Sequence, residues 1–201
     1  MATREELRNA LDQFDSVRFS SESAKQNIEW LNKTIYLGEN LFSLAPLSEY
    51  SDVPPYVAFQ LQIPYLERAR YYGHKASFFN AEHPENIQQS ISDYSRLLEL
   101  IEMEQPPSTK WIARNVYEER CECYLTIGKT GEALLDAKYL VSNFPDALAY
   151  IFRSKIFLSL GLFDQAKEDI AVVISIAENP IHLSEAISIQ KMINTNVKFI
   201  G

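Results

Sequence analysis

The chain has 201 residues, enough for one domain with a substantial core, and its 46% hydrophobic and 23% charged residues are ordinary for a globular protein. The formal net charge of −8 argues against nucleic-acid binding, because phosphate backbones are bound by basic surfaces. Only 6 glycines against 11 tyrosines and 11 phenylalanines argue against a loop-rich fold.

The N-terminal segment MATREELRNALDQF carries charged residues where a secretory signal needs an apolar run. The longest apolar stretches are far shorter than the roughly 20 residues that span a bilayer. The two cysteines, Cys121 and Cys123, are separated by one residue, which is no disulfide framework and fits a reducing compartment. We therefore expect a cytoplasmic protein, with the nucleus as an alternative, and no membrane insertion.

Residues 1–44 are predicted to form N-terminal helices. Apolar residues recur there at three- and four-residue spacing, first Leu7, Ala10, Leu11, Phe14 and Val17, then Ile28, Leu31, Ile35, Leu41 and Phe42. The segment APLSEYSDVPP, residues 45–55, is predicted to be a loop, because proline cannot donate a helix hydrogen bond.

The helical pattern continues over residues 56–79, with a kink expected near Pro64, and over residues 87–101. The segments NAEHPEN, residues 80–86, and EQPPS, residues 104–108, are expected to interrupt it. Further helices are predicted up to the C-terminus, with short turns at Gly128, Pro145, Gly161 and Pro180. No segment alternates with the period of two that indicates a strand.

The tripeptide GKT, which begins at Gly128, resembles the end of a phosphate-binding loop. Such a loop needs a glycine five residues before the Gly-Lys pair and a buried strand upstream. Cys123 occupies the glycine position, and charged residues fill the stretch where the strand would lie. The sequence therefore predicts a helix end and a turn, with Lys129 at the favourable end of the helix dipole.

A spacing of 33 residues relates two stretches on either side of Pro145. It pairs Tyr117 with Tyr150, Arg120 with Arg153, Cys121 with Ser154, Tyr124 with Phe157, Gly128 with Gly161, Ala133 with Ala166 and Asp136 with Asp169. A fixed period of this length indicates stacked helix-turn-helix units. The small residues let antiparallel helices approach closely, the aromatic residues fill the space between units, and the glycines supply the positive φ that ends a helix.

On these residues the chain resembles the tetratricopeptide repeat family, most clearly over residues 114–146 and 147–180. Leu140 and Val173 depart from the family pattern, which usually has alanine there, and Pro180 lies two residues later than expected.

A more degenerate unit is predicted over residues 56–102. The pattern of Tyr117 to Tyr124 also occurs 52 residues earlier, at Tyr65, Arg68, Ala69 and Tyr72. The second helix of this unit would carry Ile91, Tyr94, Leu97 and Leu98. We expect the 19 residues beyond the usual spacing to lie in extended turns.

The resemblance implies an all-α fold, an α-solenoid of three to four antiparallel helix-turn-helix hairpins in a single domain over residues 1–201. Whether residues 1–44 form a fourth hairpin is left open. Residues 184–200 are predicted to form a C-terminal capping helix. This helix is apolar on more than one face, so it is a candidate contact with a partner or with a second copy of the chain.

In this family the first helices of successive pairs line a concave groove that holds a peptide. By position, the groove residues of this chain are Ile63, Leu66, Arg70, Asn115, Glu118, Glu122, Leu148, Ile151 and Lys155. The resemblance implies a non-enzymatic protein-protein interaction module, an adaptor or scaffold subunit of a larger complex, whose partner segment carries hydrophobic anchors and at least one basic residue. The alternative interpretation of Glu118 and Glu122 is a solvated helix face.

Co-chaperone activity is the alternative function. Some family members hold the C-terminal carboxylate of a heat-shock protein with several cationic and amide side chains. In this chain Glu118, Glu122, Leu148 and Phe152 stand at the corresponding places, so the cationic grip is missing from the two clear repeats.

No cofactor or metal site is predicted, since the three histidines lie on separate segments without ligand spacing. Arg68, Arg120 and Arg153 recur in register. We expect each of them to pair with a carboxylate such as Asp136 or Asp169 on the neighbouring helix, and anion binding is the alternative.

Overall fold

The computed structural model describes residues 3–18, 24–43, 53–78, 84–103 and 110–200. Within these ranges the chain forms nine helices and no strand. The helices are α1 (Arg4–Arg18), α2 (Ala24–Phe42), α3 (Val53–Phe78), α4 (Pro84–Met103), α5 (Lys110–Thr126), α6 (Thr130–Asn143), α7 (Ala147–Ser159), α8 (Phe163–Ile176) and α9 (Pro180–Ile200). The prediction of an all-α fold is confirmed.

Three helices begin earlier than the sequence predicted, and one of them is α9, which starts at Pro180 rather than at residue 184. Helix α3 starts at Val53 and α4 at Pro84, both within stretches assigned to loops. Proline in the first helical turn removes no intrahelical hydrogen bond, because the amide groups of that turn have no acceptor within the helix. Helix α3 also continues through Pro64. The remaining residues of the predicted loops, 45–52, 80–83 and 104–108, lie outside the described residues.

The chain divides into two compact units, Met1–Val116 and Tyr117–Gly201, and the division falls within α5. The single domain over residues 1–201 stays a prediction. None of the helices in the described ranges combines the length and the apolar character needed to cross a bilayer.

In the first unit each helix packs on the next, α1 on α2, α2 on α3 and α3 on α4. The predicted apolar stripes supply this core, since Leu7 and Ala10 of α1 and Leu31, Ile35 and Leu41 of α2 are buried.

Gly38 lies within α2, where glycine normally costs about 1 kcal/mol relative to alanine. A Cβ atom at this position would lie 2.6 Å from the side chain of the fully buried Leu61 in α3. The missing side chain therefore permits the close approach of α2 and α3.

In the second unit α7 packs on α6, α8 and α9, and α8 packs on α9. The core contains Ile151, Ile170, Val173, Ile189 and Ile193, each almost completely buried. Leu140 and Val173, which depart from the family pattern, are both fully buried. The larger side chains at these two positions thus add apolar area to the core.

The small residues predicted at helix crossings are fully buried: Cys121, Ala133, Ser154 and Ala166. The thiol of Cys121 donates to the carbonyl oxygen of Ala133 at 3.1 Å, which measures how closely α5 and α6 approach. In the first unit the hydroxyl of Ser90 likewise donates to the carbonyl oxygen of Ala69 at 2.8 Å, across α3 and α4.

The glycines predicted to end helices have positive φ, +74° at Gly128 and +70° at Gly161. At the end of α5, the amide of Gly128 donates to the carbonyl oxygen of Leu125, and the amide of Lys129 donates to that of Tyr124. The same pair of bonds recurs after α7, from Gly161 and Leu162. This is the Schellman arrangement, so the GKT tripeptide lies at the end of a helix and no strand precedes it.

Candidate protein-binding surfaces

One set of contacts joins the two helices of three helix pairs, α3 with α4, α5 with α6, and α7 with α8. In each pair an arginine of the first helix donates two hydrogen bonds, from Nε and Nη2, to the two carboxylate oxygens of an aspartate in the second. The Nη2 to Oδ1 distances are 2.7 Å for Arg68 and Asp93, 2.7 Å for Arg120 and Asp136, and 2.6 Å for Arg153 and Asp169. We call each of these pairs an arginine–aspartate clamp.

An aromatic ring completes each clamp. The guanidinium carbon lies 5.4 Å from the ring centre of Tyr65 in the case of Arg68, 5.3 Å from Tyr117 in the case of Arg120, and 5.6 Å from Tyr150 in the case of Arg153. In every pair the tyrosine precedes the arginine by three residues, which places both on one face of the first helix. The ring attracts the cation through its π face and shields the ion pair from water.

The clamps hold their arginines in the charged form. Hydrogen bonds to Asp169 raise the pKa of Arg153 and outweigh the lowering caused by burial. At Arg120 burial by itself lowers the pKa, and the hydrogen bonds and charge of Asp136 reverse that effect and raise it. The predicted pairing of the recurrent arginines with carboxylates is confirmed. In each clamp the Nε and Nη2 donors are used by the aspartate, so they cannot hold an anion in the same two-bond arrangement.

The predicted groove residues of the first unit differ in accessibility. Ile63, Arg70 and Asn115 are half-buried, whereas Leu66 is 8% exposed and belongs to the core. Leu66 therefore contributes packing rather than accessible surface, and the groove itself stays a prediction.

In the second unit Glu118 and Leu148 are half-buried, and Glu122 and Lys155 are exposed. The ammonium group of Lys155 lies 2.6 Å from a carboxylate oxygen of Glu185 in α9. Ile151 is 1% exposed and packs in the core, in one cluster with Ile189 and Ile193 of α9.

A cleft of about 600 Å³ lies in the first unit, lined chiefly by α1 and α3. From α3 it includes Tyr56, Phe59 and Ile63, three residues at spacings of three and four on one helix face. Phe59 is 55% exposed, an unusual state for a phenylalanine, while Tyr56 and Ile63 are half-buried. We call this feature the α1–α3 cleft. Its α3 side carries three aromatic or aliphatic residues.

Two acidic residues line the opposite wall of the α1–α3 cleft. Asp12 and Asp15 of α1 are exposed and stand one helical turn apart. Among the described residues no cation forms an ion pair with either of them, although Arg8 lines the same wall. This wall therefore presents two exposed carboxylates to the cleft.

Ile63 is the one predicted groove residue that lines the α1–α3 cleft. The sequence interpretation missed Tyr56, Phe59, Asp12 and Asp15. The residues one and two helical turns before Ile63 are Phe59 and Tyr56, which share its helix face, so helical periodicity could have identified them. No signal in the sequence places α1 beside α3, since that depends on tertiary packing.

Helix α9 forms a second accessible apolar surface. A shallow groove of about 400 Å³ runs along its outer side and includes Leu183, Ile187 and Lys191. Ile187 is 41% exposed and Met192 is 48% exposed, while Ile189 and Ile193 are buried. The prediction that this helix is apolar on more than one face is confirmed.

The cysteines do not form a reactive pair. Cys121 is fully buried, and burial raises the pKa of its thiol, which keeps it protonated, whereas Cys123 is half-buried. Within the described part of the chain, no group of three or more potential ligand residues is arranged to hold a metal ion.

The chain matches no known protein family, and no curated protein matches its sequence.

Proposed function

We propose that the chain is a non-enzymatic protein-protein interaction module with a tetratricopeptide-like α-solenoid architecture, acting as an adaptor or scaffold subunit of a larger complex in the cytoplasm. The recurrence of the arginine–aspartate clamp in three helix pairs supports the repeat architecture, because each pair is then the same packing unit built again. In this chain the charged residues of the clamps join the two helices of each pair, so a partner would bind at other parts of the surface.

The observation that carries the proposal is the α1–α3 cleft with its exposed Phe59. The combination of a large aromatic side chain that is 55% exposed with a cleft of about 600 Å³ supports this assignment, because the cleft could enclose an apolar side chain beside the ring. We assign to this cleft the binding of one segment of a partner protein. The half-buried and exposed residues of the predicted groove, such as Asn115 and Glu122, remain candidate contacts.

The test begins with capture of proteins from cell extract on the tagged full-length chain. Captured proteins are then purified and titrated against the chain by isothermal calorimetry. We expect at least one direct partner, whose affinity falls about tenfold with Phe59→Ala and is unchanged with Tyr36→Ala. Tyr36 is a matched control, because it is also an exposed aromatic residue of the first unit, 68% exposed, and does not line the cleft.

If no captured protein binds the purified chain directly, the interaction function is wrong. Hydrolysis of a nucleoside triphosphate that Lys129→Ala abolishes would also contradict it, because it would restore the phosphate-loop interpretation.

Co-chaperone docking predicts a different ligand, an acidic C-terminal peptide of a heat-shock protein. Glu122 is exposed and Glu118 is half-buried, so carboxylates stand where that peptide would need cations. We expect no heat in calorimetric titration with such a peptide, and micromolar binding would favour the co-chaperone function instead.

A further inference from the structure

The walls of the α1–α3 cleft differ in chemistry, and that difference restricts the ligand. The α3 wall offers the side chains of Phe59 and Ile63 and the ring of Tyr56, and the guanidinium carbon of Arg4 in α1 lies 5.6 Å from the centre of that ring. A bulky apolar side chain placed there would remove both itself and Phe59 from water, which contributes about 25 cal/mol for each Å² of apolar surface buried. The ligand therefore needs at least one large hydrophobic residue.

The α1 wall selects the charge of the ligand. Asp12 and Asp15 face the cleft one turn apart, and no described cation is paired with them. A ligand carboxylate or phosphate placed between them would be repelled, whereas a guanidinium or ammonium group would form charge-assisted hydrogen bonds. Arg8 lines the same wall, so a bound cation would have two carboxylates and one arginine as neighbours.

From these two features we infer that the α1–α3 cleft binds a peptide segment of a partner protein that carries one large apolar side chain and, close to it, an arginine or lysine. The apolar side chain packs on Phe59 of the α3 wall, and the cation lies between Asp12 and Asp15. This inference rests on the proposed function and adds the chemistry of the partner. The sequence analysis also predicted a partner with hydrophobic and basic residues, but it assigned the contact with the basic residue to Glu118 and Glu122.

The experiment selects random 16-residue peptides displayed on phage against the full-length chain. Selected peptides are synthesised with a fluorescent label, and their dissociation constants are measured by anisotropy. We expect enrichment of peptides that combine an aromatic or large aliphatic residue with arginine or lysine. Their binding should weaken as ionic strength rises from about 0.01 M to about 0.15 M, because the Debye length falls from about 30 Å to about 8 Å.

Two double variants locate the binding. Asp12→Lys with Asp15→Lys reverses the charge of the α1 wall, and we expect it to weaken binding at least tenfold. Glu29→Lys with Glu102→Lys makes the same change in net charge at exposed positions of the same unit that do not line the cleft. We expect this control to change the dissociation constant less than twofold. Circular dichroism verifies that both variants retain their helix content.

The possible results separate the two proposals. Enriched peptides that bind the Asp12 and Asp15 variant as well as wild type would overturn the inference about the cleft and leave the interaction function standing. Enrichment of acidic peptides would overturn the inference in the same way. Failure to enrich any peptide, together with absence of a direct protein partner, would overturn both.

Discussion

At the scale of single residues, the clamp of Arg120 and Asp136 shows how the chain keeps charge inside a helix pair. The Arg120 side chain is 15% exposed and that of Asp136 is 6% exposed, so neither is well hydrated. Two parallel hydrogen bonds and the nearby Tyr117 ring offset the loss of water. Removing one member leaves the other charge buried and unpaired, and that is the larger energetic effect.

We expect Asp136→Ala to lower the free energy of unfolding by about 2 to 3 kcal/mol, because it leaves the guanidinium of Arg120 without its carboxylate. Glu132→Ala is the control, since Glu132 is an exposed residue of the same helix and should change stability by less than about 0.5 kcal/mol. Urea denaturation followed by circular dichroism measures both. Equal values for the two variants would show that the clamp does not stabilise the pair.

Gly38 provides a second prediction at the residue scale. In an exposed helix, glycine to alanine stabilises by up to about 1 kcal/mol. At Gly38 the added methyl group would overlap the side chain of Leu61, so we expect Gly38→Ala to destabilise by about 1 to 3 kcal/mol.

Gly131 in α6 is the matched control, because a Cβ atom there meets no atom within 4 Å. Gly131→Ala should leave stability unchanged or raise it in the same urea titration. A stabilising effect of Gly38→Ala would mean that α2 and α3 do not approach closely.

At the scale of helices and turns, the same cap ends α5 and α7. Gly128 and Gly161 have positive φ. The amide of each glycine and the amide of the next residue donate hydrogen bonds to carbonyl oxygens of the last helical turn, which have no partner within the helix. Open space surrounds both positions. The requirement for glycine is therefore conformational rather than steric.

We expect Gly161→Ala to lower the free energy of unfolding by about 1 kcal/mol, since an L-residue with a Cβ is strained at a φ of +70°. Gly161→Asn should cost less, because asparagine tolerates this region better than alanine. Thermal and urea unfolding of the two variants compares them. An alanine variant as stable as the asparagine variant would contradict the conformational explanation.

At the scale of the whole molecule, α9 has two apolar faces with different roles. Ile189 and Ile193 are buried against the second unit, whereas Ile187 and Met192 are exposed. Association of two copies of the chain through this helix stays a prediction. Such an association would use the exposed face of α9, which carries Ile187 and Met192.

We expect Ile187→Asp with Met192→Asp to remain folded, because neither side chain is part of the core. Ile189→Asp should unfold the second unit or destabilise it by more than about 4 kcal/mol, because it buries an unpaired charge. Circular dichroism and urea denaturation measure stability, and light scattering reports the mass of the folded variant. A stable Ile189→Asp variant would contradict the packing of α9 described above.

The sequence alone determined those features that depend on local chemistry and on fixed spacing. The helices follow from three- and four-residue periodicity, the caps at Gly128 and Gly161 from the need for positive φ, and the clamp partners of Arg120 and Arg153 from the 33-residue repeat. Each of these needs only residues that are near in sequence or equivalent in two repeats.

Tertiary packing alone decided which side of a helix is covered. Periodicity gives Ile151 and Ile187 similar apolar stripes, but only contact with neighbouring helices buries the first and leaves the second exposed. The α1–α3 cleft is of the same kind, because Asp12 and Phe59 are far apart in sequence and line one cavity only after the helices pack. The physical reason is that burial depends on which surfaces meet, and that is a property of the folded chain rather than of any one segment.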